Sequence, residues 1–144
     1  MSDACQVDFY VLAHPGQSVE RLACRLAMMA WEQGHLVAVL TAGEDDAAAL
    51  DEVMWDFPAG RFLPHTRGQS GPEVPVCIET YGAGIPAGRD LVINLTDHAV
   101  PDPGRFQRLL EIVPGEEQKR LSSRQKFREY RAIGLEPVSH KIGK

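Results

Sequence analysis

Three short apolar runs constrain the fold of this sequence more than any other feature: Val7 to Leu12 (VDFYVL), Leu36 to Leu40 (LVAVL) and Leu91 to Leu95 (LVINL). Each is strand-sized and nearly continuous in apolar character, as expected where helices cover both faces of a parallel sheet. Between the first two, Val19, Leu22, Ala23, Leu26, Met29 and Ala30 recur at three- and four-residue steps, and Gly34 stands where a helix should stop. Beyond LVAVL, Asp45 or Asp46 is placed to cap a second helix through Met54 or Trp55. Phe57 to Gly71, rich in Pro, Gly and polar residues, is expected to be loop with one short strand at Arg61 to Leu63. Val74 to Glu79 is a further strand, separated from LVINL by a hairpin-like turn over Tyr81 to Gly88. After PDPG, Phe106 to Val113 should be a short helical turn passing into a last strand. Glu116 to Ile133 then reads as a long helix with acidic residues in its first turn and Gly134 past its end. Strands alternating with helices imply an α/β sandwich around a mainly parallel sheet. At 144 residues and 44% hydrophobic, the chain suits one domain spanning residues 1–144.

Composition excludes several classes. With 24% charged residues and a formal charge of −5, the chain is neither low-complexity nor a strongly charged disordered segment. No stretch approaches the roughly 20 apolar residues that span a bilayer, so no membrane association is expected. The opening MSDACQVDF carries Asp3 and Asp8 and no basic region before an apolar run, so it does not read as a secretory signal, and a cytoplasmic location is expected. Cys5, Cys24 and Cys77 form no CxxC pair and read as buried free thiols in a reducing compartment.

Candidate chemistry is sparse. Gly82, Gly84 and Gly88 follow a strand but make GxGxxxG with Pro86 inside it and lead into another strand, so they do not form a dinucleotide loop. No GxxxxGK[ST] phosphate loop occurs. The histidines at 14, 35, 65, 98 and 140 are never paired at i+3 or i+4, and the acidic triplet Glu44, Asp45 and Asp46 is explained by helix capping, so neither a metal site nor a cofactor is expected. Asp97 and His98 follow LVINL at the sheet edge where α/β enzymes gather catalytic groups. They support an alternative reading as a small nucleotide-binding protein or phosphohydrolase, although no GxSxG nucleophile turn accompanies them.

Charge is strongly segregated. Residues 119–144 hold eight Lys or Arg against Glu129 and Glu136, a local charge of +6, whereas the remainder carries 7 basic against 18 acidic residues, or −11. On a helix, Arg120, Arg124, Phe127, Arg128 and Arg131 fall within a sector roughly 100° wide, forming a basic stripe that contains an aromatic ring. Such a stripe suits an acidic ligand with an apolar part, since guanidinium groups pair with carboxylates bidentately. Direct nucleic-acid binding by the same helix ranks lower, because the acidic remainder repels a duplex at longer range. The segment MWDFPAGRFLPH, residues 54–65, places Trp55, Phe57, Phe62 and Leu63 on a stretch too rich in Pro and Gly for a buried helix, which suggests a partner surface with some of the four closing the core.

These stretches together resemble the chi subunit of the bacterial DNA polymerase III clamp loader across nearly the whole chain. The resemblance rests on the FYVL strand, the helix ending in Gly before LVAVL, DEVMWDFPAGRFLPH, LVINL, and the RxxxRxKFREYR helix that runs on into FREYRAIG. It implies a Rossmann-like three-layer α/β sandwich without a phosphate loop, and a replisome adaptor without catalysis. It also implies two partners, the psi subunit of the clamp loader and the acidic C-terminal tail of single-stranded DNA-binding protein, which ends in an apolar Pro-Phe. The family's tail-binding positions correspond to Arg120, Arg124, Phe127 and Arg128, and helix geometry alone adds Arg131. Family psi contacts correspond to Trp55 and Phe62, with Leu63 beside them, and in some members a repair helicase shares that surface.

Overall fold

Among the described residues, seven strands make one sheet in which every pairing is parallel. The structure is a computed structural model that describes residues 5–56, 60–68 and 74–142. In chain order the elements are β1 (Gln6–Leu12), α1 (Val19–Glu32), β2 (Val37–Thr41), α2 (Glu44–Asp56), β3 (His65–Arg67), β4 (Val76–Thr80), β5 (Leu91–Asn94), β6 (Arg108–Val113), α3 (Glu117–Ala132) and β7 (Val138–Ile142). The strand order is β3-β4-β2-β5-β6-β1-β7. No described helix is long and apolar enough to cross a membrane.

Alternation along the strands divides the interior into two cores. Val37, Val39, Leu91, Ile93, Leu110 and Ile112 face α1 and α2, meeting Leu22, Leu26, Leu50 and Met54. Their neighbours of opposite parity, among them Val7, Phe9, Leu40, Val92, Leu109 and Val113, face α3 and pack with Phe106 and Tyr130. The result is the expected three-layer α/β sandwich. Its helices begin and end where local chemistry dictates: the Ser18 hydroxyl accepts from the Arg21 N–H at 3.1 Å to cap α1, and Gly34 leaves that helix at φ +92°. Gly115, between β6 and α3, has another role. A Cβ there would lie 2.4 Å from the His14 backbone carbon, so only glycine lets the start of α3 pass this close to the loop after β1.

The structure corrects several expectations. The short strand lies at His65–Arg67, not Arg61 to Leu63, because it is an edge segment fixed by pairing with β4. Tyr81 to Gly88 is no hairpin: β4 and β5 lie on opposite sides of β2, and the segment contains a 3₁₀ turn at Tyr81–Ala83. The PDPG stretch likewise forms a 3₁₀ turn, Pro103–Arg105. β6 is not the last strand, since β7 follows α3 and closes the sheet beside β1.

One buried carboxylate fastens that final strand. Asp8 on β1, 2% exposed, accepts from Arg108 Nη2 on β6 at 2.6 Å and from His140 Nε2 on β7 at 2.9 Å. Burial alone would raise its pKa, but the bonds from His140 and Arg108 outweigh it and hold the carboxyl below its usual range. A depressed folded-state pKa contributes stability that is present above the unfolded value and lost as pH falls through the folded one. Asp8→Asn is therefore expected to cost about 1.5–3 kcal/mol at neutral pH in urea unfolding. The gap to wild type should narrow below about pH 4, and a gap constant with pH would show that ionised Asp8 gains nothing from its partners.

Candidate functional site

α3 is almost wholly polar, so few apolar contacts can hold it; its buried side chains are Ser123, Lys126 and Tyr130. Two of these meet Glu111, which points from β6 toward the helix and is fully buried. Lys126 Nζ donates to Glu111 Oε1 at 2.6 Å and to the Thr96 carbonyl at 2.8 Å. The Tyr130 hydroxyl donates to Glu111 Oε2 at 2.6 Å and accepts from the Val100 N–H at 2.8 Å, and Asn94 Nδ2 donates to the same Oε2 at 2.8 Å. Burial pushes the Glu111 carboxyl up, opposed by the Lys126 ammonium and by the hydrogen bonds from Lys126, Tyr130 and Asn94. The net direction is upward, while the three converging donors and the Lys126 charge favour the ionised form. Burial beside Glu111 raises the Tyr130 phenol further, so it stays a donor.

This network fixes the rotation of α3 and thereby defines a cleft of about 230 Å³ between the helix and the β7 side of the sheet. Phe9 and Val11 from β1 and Val113 from β6 make an apolar floor, Ser139 from β7 forms one side, and Arg120, Ser123, Arg124 and Phe127 line the helical wall. The Phe127 ring sits 5.1 Å from that of Phe9, tilted by 49°, so it is seated on the floor with part of its surface still open. Arg120 Nη2 reaches the Leu12 carbonyl at 3.3 Å, while its Nε, out of contact with solvent, has no hydrogen-bond acceptor among the described residues. Arg124 is exposed at the rim. An apolar floor beneath guanidinium donors can take a group that combines a hydrophobic side chain with a carboxylate.

Three of the five stripe residues thus line one cleft. Arg128 is exposed beside it, with Nη2 bonded to Gln125 Oε1 at 2.9 Å, and Arg131 is exposed further along the helix; neither lines the cavity. Lys126, which composition counts with the basic surface, is in fact 2% exposed and structural. Phe9 and Ser139 were missed as site residues. Phe9 could have been anticipated from the alternation of β1, but nothing in VSHKI marks Ser139 before β7 is paired.

The aromatic segment divides in the same way. Trp55 and Phe62 are 59% and 61% exposed, with ring centroids 5.9 Å apart. His65 meets the Trp55 ring edge to face at 4.9 Å; its Nδ1 lies 2.6 Å from the Leu63 carbonyl, and its Nε2 lies 2.9 Å from Asp51 without hydrogen-bond geometry. Leu63 requires correction: it is fully buried in the main core, so it supports this loop from within and offers a partner no side-chain surface. Phe57 lies outside the described residues. At the sheet edge, Asp97 is ion-paired with Lys119 at 3.0 Å and also meets Ser122; these bonds outweigh burial and lower its carboxyl pKa. His98 instead meets Tyr81, ring centroids 5.3 Å apart. The two side chains are therefore engaged with different elements. Burial raises the thiols of Cys5 to about 11 and of Cys24 and Cys77 to about 12, leaving them unreactive at neutral pH.

Residues 5–138 match the family described as "DNA polymerase III chi subunit, HolC". The chain is 39% identical over 140 residues to DNA polymerase III subunit chi of Pseudomonas aeruginosa, covering 95% of this chain and 96% of that protein. It is 30% identical over 120 residues to the Escherichia coli K12 subunit, covering 82% of each. Among solved structures, T4 UvsW superposes on 99% of this chain and 42% of its own with a TM-score of 0.71 at 8% identity. Saccharomyces cerevisiae Dbp5 bound to RNA and ADP BeF3 covers 96% of this chain and 42% of its own at a TM-score of 0.64 and 11% identity. Those two likenesses concern the fold alone.

Removing the ammonium under α3 should expose how the cleft is held. Lys126→Met is expected to lose about 3–5 kcal/mol at neutral pH, the usual cost of leaving a buried charge uncompensated. In that variant the folded-state pKa of Glu111 is raised, and such a group stabilises the fold below its unfolded pKa and loses that contribution as pH rises. The deficit should therefore shrink in mild acid. A deficit independent of pH would show that Glu111 is not the charge Lys126 compensates.

Proposed function

The chain belongs to the DNA polymerase III chi subunit family, and from that premise we propose that it is a non-catalytic replisome adaptor. One of its contacts is the acidic C-terminal tail of single-stranded DNA-binding protein; the other is the psi subunit, which ties it to the clamp loader. Its place of action is the cytoplasm, at the replisome.

The observation that carries this reading is the α3 cleft, where Arg120, Arg124 and Phe127 line one wall above the apolar floor of Phe9, Val11 and Val113. A peptide ending in Phe can bury its ring against Phe127 and that floor while its terminal carboxylate and preceding acids face the guanidinium groups. Arg128 and Arg131 lie along the same helix, where they strengthen the field that draws an acidic chain inward and contact its upstream acids. A single exposed ion pair contributes under about 1 kcal/mol, so useful affinity requires several pairs together with ring burial. Micromolar binding that weakens with salt is the outcome to expect.

Trp55 and Phe62 form the psi contact, as a pair of exposed aromatic anchors on the other side of the sheet. A repair helicase using that same surface would compete with psi. Tight binding to naked nucleic acid is not part of this function, since the −11 charge outside the C-terminal segment opposes it.

Arg124→Glu is expected to weaken binding of a labelled tail peptide at least about tenfold, with Tm unchanged because the side chain is exposed. Wild-type binding by the variant would show the pocket to be wrong.

A further inference from the structure

The aromatic pair sits on an unusual electrostatic background. Between Glu44 and Gly60 the sequence contains Glu44, Asp45, Asp46, Asp51, Glu52 and Asp56 and no Lys, Arg or His. Two of these acids, Glu52 one turn before Trp55 and Asp56 directly after it, lie in the last part of α2, which has no basic residue in its final turn. A helix C-terminus already carries negative partial charge, so carboxylates there are disfavoured in the isolated protein. The arginines near the patch already face acids: Arg61 pairs with Glu32, and Arg67 Nε lies 4.0 Å from Asp51, which also contacts His65. Among the described residues no Lys or Arg forms an ion pair with Glu52 or Asp56, and both are exposed.

From this we infer that the partner segment seated on Trp55 and Phe62 is cationic as well as apolar, with Lys or Arg side chains placed to meet Glu52, Asp56 and the carbonyl end of α2. The inference rests on the reading of this patch as the psi contact and specifies the chemistry of the occupant. An apolar partner alone would bury exposed carboxylates without compensation, which costs affinity, whereas a basic one neutralises them and the helix end together. The two contacts of the molecule then select opposite charges. Acidic peptide goes to α3 and basic peptide to α2, so neither partner competes for the other's surface.

The test uses the full chain and purified psi subunit from the same organism, with association kinetics measured at low and high salt for three proteins. Wild type should associate faster at low salt. Glu52→Lys/Asp56→Lys should associate roughly tenfold more slowly at low salt, with the difference vanishing at high salt. Its Tm should be equal to or higher than that of wild type, because the substitutions remove a dipole conflict; a binding loss with undiminished Tm cannot be ascribed to misfolding. Trp55→Ala/Phe62→Ala should lose binding at both salt concentrations. If the aromatic variant loses binding while the charge-reversed variant binds as fast as wild type or faster, the basic-partner inference is overturned and the psi reading stands. If the aromatic variant binds like wild type, both are overturned.

Discussion

The Glu111 carboxylate lies beneath a helix that has almost no hydrophobic face of its own. A charge withdrawn from water must be met by donors in good geometry, and here they come from three directions: Lys126 and Tyr130 on α3 and Asn94 on β5. Because two donors sit one turn apart on the same helix, the carboxylate fixes both the rotation of α3 and its position along the sheet. Arg120, Arg124 and Phe127 fall on the flank of the helix that overhangs β1 and β7. The geometry of the cleft is thus a consequence of buried electrostatics more than of apolar packing, and the same ion pair that supports the site is a vulnerable point of the fold.

Segregation of charge acquires a spatial meaning from the topology. α2 packs over β4, β2 and β3 on one face of the sheet, whereas α3 covers β6 on the opposite face toward the other edge. The acidic and basic surfaces are therefore separated by the thickness of the sandwich and by half the width of the sheet. A parallel sheet with helices on both faces supplies such separation.

Much of this architecture was legible in the sequence. VDFYVL, LVAVL and LVINL identify themselves because strands covered on both faces are apolar at nearly every position, and α1 declares itself by period and caps. The elements that escaped were those decided by tertiary pairing. β3 is three residues long and exists because β4 is beside it, and VSHKI of β7 has the polarity of an edge strand, with His140 tied to Asp8 a hundred and more residues away. The candidate cleft was half legible. Helical periodicity brought Arg120, Arg124 and Phe127 to one side, but it could not distinguish Lys126, which turns inward, from arginines that face solvent. Nor could it separate Leu63, buried in the core, from Phe62 beside it. One residue of displacement along the chain reverses the direction of a side chain, and only the packed structure fixes that choice.

The most direct measurement is an amide chemical-shift titration of the isotopically labelled protein with a short acidic peptide ending in Pro-Phe. If α3 and the adjoining strands form the receptor, shifts should concentrate at Arg120 to Arg128 and at Phe9, Val11, Val113 and Ser139, and saturate along one binding curve. Shifts centred on α2 and Trp55, or none at peptide concentrations well above the micromolar range, would contradict the assignment of the cleft to an acidic chain end.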